Sequence, residues 1–254
     1  MDGALEKIAE DLNKNWWDRV RMVAKFTRLY HRHEVFYIER IPTEGPVILI
    51  SNHSFATYDF TLLFDAIYDK SHRIVRPLID RLFYKFSMLG KVVEALGARE
   101  GSPDNAKRLL REGNIIAIAP GGMHEAIRPS TKKYRIDWKD RCGFIRLSFE
   151  TQAPIVLAAC PRADDLFDIL PNPFSEIIYK KFKIPFVLAR GIGLSPIPKP
   201  VKLIHVVSEP LLPPKADSDK SLHQEQIKAF HRFIINRMET LMNEAKVLAE
   251  KYEY

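Results

Sequence analysis

The chain has 254 residues, 46% of them hydrophobic, which fits one large α/β domain or two small ones, suffices for a real core and excludes a disordered chain. Its formal net charge is +7, which points to an anionic partner: nucleic acid, a phosphorylated metabolite or an anionic membrane. The two cysteines, Cys142 and Cys160, fit no metal or redox motif, so they read as thiols of a reducing compartment.

In chain order, the opening residues carry early acids and no apolar core segment, so they do not read as a signal peptide. Apolar residues Leu5, Ile8, Leu12, Trp16, Val20, Val23 and Phe26 then recur at steps of three or four. That spacing predicts one amphipathic helix, or two. Lys14, Arg19, Arg21, Lys25, Arg28 and Arg32 stand against Asp18 alone, with Trp16, Trp17 and Tyr30 among them. Such a mixture suits an anionic membrane interface. A helix that packs its stripe on the rest of the chain has the same spacing, and both uses are compatible. Residues 1–33 are therefore expected to form an N-terminal amphipathic helical segment that docks on a membrane, ahead of a domain over 34–254. No apolar run approaches the roughly 18–20 residues of a membrane span.

From Glu34 the pattern alternates. Strands are expected at Val35–Ile38, Pro46–Ile50, Ile74–Leu78, Ile115–Ala119, Ile155–Ala159, Phe186–Leu188 and Lys202–Val207. Helices are expected after Tyr58, over Ile79–Leu89, from Ser102-Pro103-Asp104 to Leu110, over about Arg141–Thr151, and over Gln224–Lys251. Val92–Leu96 is a short apolar run, and Gly97 to Gly101 reads as a loop. The fold class is α/β: one domain with a mostly parallel mixed sheet flanked by helices. Ligands in such sheets bind where strands end and loops open.

Two strand ends carry chemistry. Val47-Ile48-Leu49-Ile50 runs into Ser51-Asn52-His53-Ser54, and Asp59 opens the helix that follows. Six positions are about 600° of helix, so His53 and Asp59 cannot share one face of a regular helix. They meet if His53 occupies the turn and Asp59 the first helical turn, where a carboxylate also suits the helix dipole. A neutral imidazole held by a buried carboxylate is a general base. The alternative is a capped turn and a capped helix. The second strand end is Ala119-Pro120-Gly121-Gly122-Met123-His124-Glu125. Its glycines permit close backbone approach, and their N–H groups suit a developing oxyanion. His53, His124 and a carboxylate have no spacing that defines a metal site.

These stretches, with Gly97-Ala98-Arg99 and Ser208-Glu209-Pro210, resemble the ordered motifs of the glycerolipid acyltransferase superfamily, which includes the lysophosphatidate and glycerol-phosphate acyltransferases. Pro120-Gly121-Gly122 with Glu125, Cys142 to Leu147 followed by Ala153-Pro154-Ile155-Val156, and Gly191-Ile192-Gly193 with Pro198 and Pro200-Val201 are more similar to the monoacylglycerol/diacylglycerol acyltransferase branch. The resemblance spans about residues 34 to 212. Three departures stand out. Five residues separate His53 from Asp59 where four is commoner, Pro-Gly-Gly replaces a Phe-Pro-Glu-Gly form, and Ser208 stands where glycine is usual. They bear on the acceptor more than on the reaction.

The resemblance implies transfer of a fatty acyl group from acyl-CoA or acyl-carrier protein to a hydroxyl of a glycerolipid. His53 would be the general base and Asp59 its orienting carboxylate. Pro120, Gly121, Gly122 and Glu125 would bind substrate, and Arg99 a phosphate of acceptor or donor. It implies no metal and no cofactor beyond the thioester co-substrate. It also implies peripheral association with the cytoplasmic face of a membrane. A non-catalytic lipid-binding protein of the same fold, and a thioesterase or lysolipid hydrolase, are the alternatives. No Gly-x-Ser-x-Gly elbow supplies a serine nucleophile, and no nucleic-acid motif accompanies the basic charge.

Overall fold

The computed structural model describes residues 14–80, 94, 97–170 and 188–252. Leu5, Ile8 and Leu12, the side chains of Trp16 and Trp17, all but the first two residues of the helix expected at Ile79–Leu89, most of Val92–Leu96, and Phe186-Val187 lie outside the described residues.

Among the described residues, seven strands form one sheet: β1 (Glu34–Phe36), β2 (Val47–Ser51), β3 (Val75–Ile79), β4 (Arg99–Glu100), β5 (Ile115–Ile118), β6 (Ile155–Ala159) and β9 (Ile204–Val207). The order is β1-β9-β6-β2-β5-β3-β4. Every neighbouring pair is parallel except β6 and β9. The short strands β7 (Asp168–Ile169) and β8 (Ala189–Arg190) pair apart from it. The centre is β2 between β5 and β6, and all five residues of β2 are buried. Covered on both faces, such strands need unbroken aliphatic runs rather than alternation. Ile48 and Ile50 point into one core, with α3 (Pro103–Arg111), α5 (Gly143–Thr151) and α6 (Lys220–Lys251). Val47 and Leu49 point into the other, with Leu63 and Ile67 of α2 (Tyr58–Ser71). Each such aliphatic side chain contributes about 1.5–3 kcal/mol relative to exposure.

Local signals set most boundaries. Ser102 Oγ accepts the Asn105 N–H at 3.2 Å and Pro103 begins α3, as expected of that cap. The expected apolar side of the last helix, from Ile227 through Met242, is buried. Other boundaries differ: Ile79, expected to open a helix, ends β3, and the last helix starts four residues early at Lys220, where the Asp219 side chain caps it. The first strand stops at Phe36 because Tyr37 turns left-handed (φ 62°) and starts a 3-10 turn at Ile38–Arg40. The Gly97–Gly101 loop contains a two-residue edge strand, since Arg99-Glu100 pairs with Leu78-Ile79.

The helix α1 (Lys14–Tyr30) lies on α2. Its contact is ionic rather than apolar. Arg21 Nε donates to Asp65 Oδ1 at 3.1 Å, Arg28 Nη1 to Asp65 Oδ2 at 2.9 Å and to Asp69 Oδ2 at 3.0 Å, and Arg21 also reaches Asp69. Asp65 is 3% exposed. Two arginines therefore face inward, and Met22, Val23, Phe26 and Leu29 are left 60–76% exposed. This corrects the expectation for two of the arginines: Arg21 and Arg28 are held by the carboxylates of α2. Tyr30 and His31 fix the helix end. Tyr30 donates its hydroxyl to Pro198 O at 2.9 Å, and the His31 ring lies 2.9 Å from Val201 O and 3.1 Å from the Tyr58 hydroxyl.

Asp65→Ala strips both arginines of their buried partner. It is expected to lower stability by about 2 kcal/mol, below the 3–5 kcal/mol of a fully buried pair because the arginines are partly solvated. Urea unfolding checks this, and trypsin is expected to cut α1 faster while the rest of the chain stays intact.

Candidate active site

The end of β2 is tied to the end of β6 by side chains where the strand ladder stops. Ser51 Oγ donates to Ala158 O at 2.6 Å. Asn52 makes both bonds that a strand residue would make: Nδ2 donates to Cys160 O at 3.1 Å, and Oδ1 accepts the Cys160 N–H at 2.9 Å. A buried amide paired at both its oxygen and its nitrogen fixes the backbone of the next residue.

That residue is His53. Its Nδ1 lies 2.9 Å from Ser54 O. A carbonyl only accepts, so Nδ1 carries the proton and Nε2 keeps its lone pair. Burial pushes the His53 pKa below the usual 6.5. The Ser54 carbonyl and Asp59 pull the other way, and Arg128 and Arg141 add to the lowering. The ring is therefore neutral at neutral pH, which is what a general base requires.

Asp59 is fully buried in the first turn of α2, as expected. It does not touch the His53 ring directly: among the described residues no hydrogen bond or ion pair joins the two. Ser54 stands between them, with its carbonyl on His53 and its hydroxyl donating to Asp59 Oδ1. The 3-10 turn Phe55–Thr57, ending at left-handed Thr57 (φ 50°), carries the extra residue of this turn. The other oxygen, Oδ2, lies 3.4 Å from His205 Nε2 on β9.

The second strand end meets the first through Glu125. Its Oε2 accepts the His53 N–H at 3.1 Å and its Oε1 accepts the Asp137 N–H at 2.9 Å. The side chain is buried, and burial raises its pKa against those bonds and Arg128. With both oxygens on backbone N–H groups, Glu125 braces the His53 turn. Gly121 is demanded by this contact, since a Cβ there would sit 2.0 Å from the Glu125 carboxyl carbon. The Gly122 N–H donates to Ala119 O at 3.0 Å, which removes it from the oxyanion candidates. The Gly121 N–H makes no hydrogen bond among the described residues and remains one. Arg141 Nη1 donates to Pro120 O at 2.7 Å and also to Gly121 O, which places a guanidinium at the glycine turn.

Arg99 sits apart. It lies on β4, three strands from β2, a lateral distance of about 14 Å at ordinary strand spacing. Its Nη1 donates to Ala98 O at 2.9 Å. A large substrate spans such a gap; a direct contact with His53 does not. His124 is exposed.

Sequence reasoning missed Ser54, Arg128, Arg141, Asp164, His33 and His205. Arg128 pairs with Asp164 at 2.7 Å and stands 3.8 Å from Glu125. His205 had one usable signal, a lone histidine inside the apolar run Leu203 to Val207. Asp59, Cys160 and His205 each offer a ligand atom, all within 4.8 Å of one another, so this buried trio is the metal-compatible group among the described residues.

The comparisons with known proteins agree with this architecture. A protein described as a DGAT1/2-independent enzyme synthesizing storage lipids, from Bos taurus, is 27% identical over 210 residues, covering 80% of this chain and 61% of its own length. The Homo sapiens protein of the same description is also 27% identical, with 80% and 63% covered. The chain thus spans less than two thirds of these curated relatives. The solved structure of the 1-acyl-sn-glycerophosphate acyltransferase PlsC from Thermotoga maritima matches with a TM-score of 0.55 at 15% identity, covering 91% of this chain and 79% of that one. That likeness supports the fold, a mostly parallel α/β sheet. A family model described as diacylglycerol acyltransferase matches residues 53–253, most of the chain and all of the site from His53 onward. The chain belongs to the diacylglycerol acyltransferase family.

Proposed function

We propose that the chain is an O-acyltransferase that moves a fatty acyl group from a thioester donor, acyl-CoA or acyl-carrier protein, to a hydroxyl of a glycerolipid acceptor. One observation carries the proposal: the neutral His53 ring, locked by the Ser54 carbonyl so that Nε2 is the basic atom. Nε2 takes the proton from the acceptor hydroxyl, and the oxygen attacks the thioester carbonyl. The tetrahedral intermediate places its oxyanion near the Gly121 N–H, in the positive field of Arg141. It collapses with loss of the thiolate, which takes the proton back from the imidazolium. Asp59 acts on that imidazolium electrostatically, through Ser54 rather than by direct contact. Glu125 holds the His53 backbone, and Arg99 suits a phosphate at the far end of a long substrate. No cofactor is required.

A lipid acceptor requires a route to a bilayer. Among the described residues no helix is long and apolar enough to cross one. The exposed face of α1, Met22, Val23, Phe26 and Leu29, supplies an interfacial seat, and exposed Arg19 and Lys25 beside it suit an anionic surface. The loop of Ile192, Leu194 and Ile197, also exposed, adjoins the helix end through Tyr30 and Pro198. The seat is mainly apolar, since Arg21 and Arg28 are held by α2.

Incubation with acyl-CoA and a panel of glycerol phosphate, lysolipids, monoacylglycerol and diacylglycerol, read by mass spectrometry, tests the reaction. An ester is expected; free acid alone identifies a hydrolase, and no product a binding protein. His53→Ala is expected to lower the rate by about 10²–10⁴-fold while the protein stays folded. Protonation removes the base, and burial lowers the pKa at which this happens. The midpoint of the acid limb of kcat/KM is therefore expected below 6.5. Phe26→Asp with Leu29→Asp is expected to abolish cosedimentation with anionic vesicles even at low salt. Pelleting equal to the unmodified protein contradicts the seat.

A further inference from the structure

A buried pair of histidines stands behind Asp59 with no part in the reaction as described above. His205 is wholly inaccessible at the centre of β9, opposite Val35 of β1 in the parallel ladder. A histidine in such a strand costs free energy unless its nitrogens find partners. Its Nδ1 lies 2.9 Å from His33 Nε2, with the two rings edge to face. Its Nε2 lies 3.4 Å from Asp59 Oδ2. Neither Nε2 nor Oδ2 has a hydrogen-bond partner among the described residues. The 3.4 Å separation is slightly longer than a formed hydrogen bond.

The proton placement follows from the partners. A carboxylate only accepts, so the atom facing it must be an N–H, whichever histidine holds the proton shared between His33 and His205. With Ser54 Oγ on Oδ1, the carboxylate then has one donor per oxygen. Burial keeps His33 neutral. A neutral His33 that donates through Nε2 leaves His205 Nδ1 as acceptor and its Nε2 as donor. A satisfied core histidine needs only some partner. This one faces the second oxygen of the carboxylate that stabilises the imidazolium of His53.

We propose that His205 is a positioning residue for acyl transfer: its Nε2–H holds the second oxygen of Asp59, and His33 fixes the tautomer that presents that proton. The proposal rests on the acyl-transfer reading. The orienting unit then runs from His33 before β1, through β9, to the turn after β2, so three separate stretches of chain set one carboxylate.

The test uses the full chain with acyl-CoA and the acceptor that the unmodified protein esterifies, alongside histidine side-chain 15N NMR. His205→Phe keeps a ring and removes both nitrogens. It is expected to lower kcat by about 10- to 100-fold, the worth of one hydrogen bond to a charged group, with KM nearly unchanged, because the bond matters when charge develops on His53. His205→Gln offers an amide N–H to Asp59 and is expected to recover most of the rate. In the unmodified protein His205 Nε2 is expected to carry a proton whose resonance moves in Asp59→Asn. Full kcat in a folded His205→Phe protein overturns the proposal. So does an equal loss in the Phe and Gln variants, which marks packing. A His205 Nε2 without a proton overturns it too. A stoichiometric divalent metal on the purified protein, lost in His205→Phe, does the same, since Nε2 would then be a ligand beside Asp59 and Cys160. If the unmodified protein esterifies nothing, the acyl-transfer reading fails, while the NMR tautomer reports separately whether His205 holds Asp59.

Discussion

The site depends on the Asn52 side chain. At the point where β2 leaves the sheet, its amide replaces the backbone pair that the strand ladder would have made with Cys160. Without that clamp the next peptide has no fixed direction, and the site is built on that peptide. Its N–H points to Glu125, and the residue's ring turns back on the Ser54 carbonyl. The rigidity comes from central strands buried on both faces, so the turn inherits the precision of the core rather than the freedom of a loop.

From this follows a division of labour among carboxylates. Three acids surround the His53 turn and none binds the ring itself. Glu125 holds the backbone, Asp59 reaches the ring through Ser54, and Asp164 neutralises Arg128. The imidazole faces burial and two guanidiniums, which keep it unprotonated, and one carboxylate at a distance, which favours charge on it as a proton is taken up. An imidazole in this position resists protonation, and the charge it gains on taking up a proton is stabilised.

How much of this was legible follows from the range of each interaction. β2, the turn and α2 were readable because an aliphatic run, a polar break and helical spacing are contiguous in the chain. The cap of α3 at Ser102-Pro103 was readable for the same reason. The role of Glu125 was not, because its partners lie 72 and 12 residues away. Asp59 was placed correctly in the helix's first turn, but its aim was not legible: His205 arrives on another strand, and Ser54 offers its carbonyl to one partner and its hydroxyl to the other. The face of α1 misled for a different reason. Helical spacing located the apolar stripe and the arginines, but which of them turns inward was decided by Asp65 and Asp69 on another helix. The fold class was legible from the alternation of strands and helices, and the acyltransferase resemblance from ordered motifs at strand ends; fold and family bear them out.

The central claim is that the Ser54 carbonyl holds His53 as a neutral imidazole with its basic atom at Nε2. The 15N chemical shifts of the His53 side chain, followed from pH 8 to pH 5 in the unmodified protein, test it most directly. The account predicts a protonated Nδ1 and an unprotonated Nε2 at pH 7, with the midpoint of the second protonation below 6.5. A ring that carries its proton on Nε2 at pH 7, or that is already an imidazolium there, contradicts it.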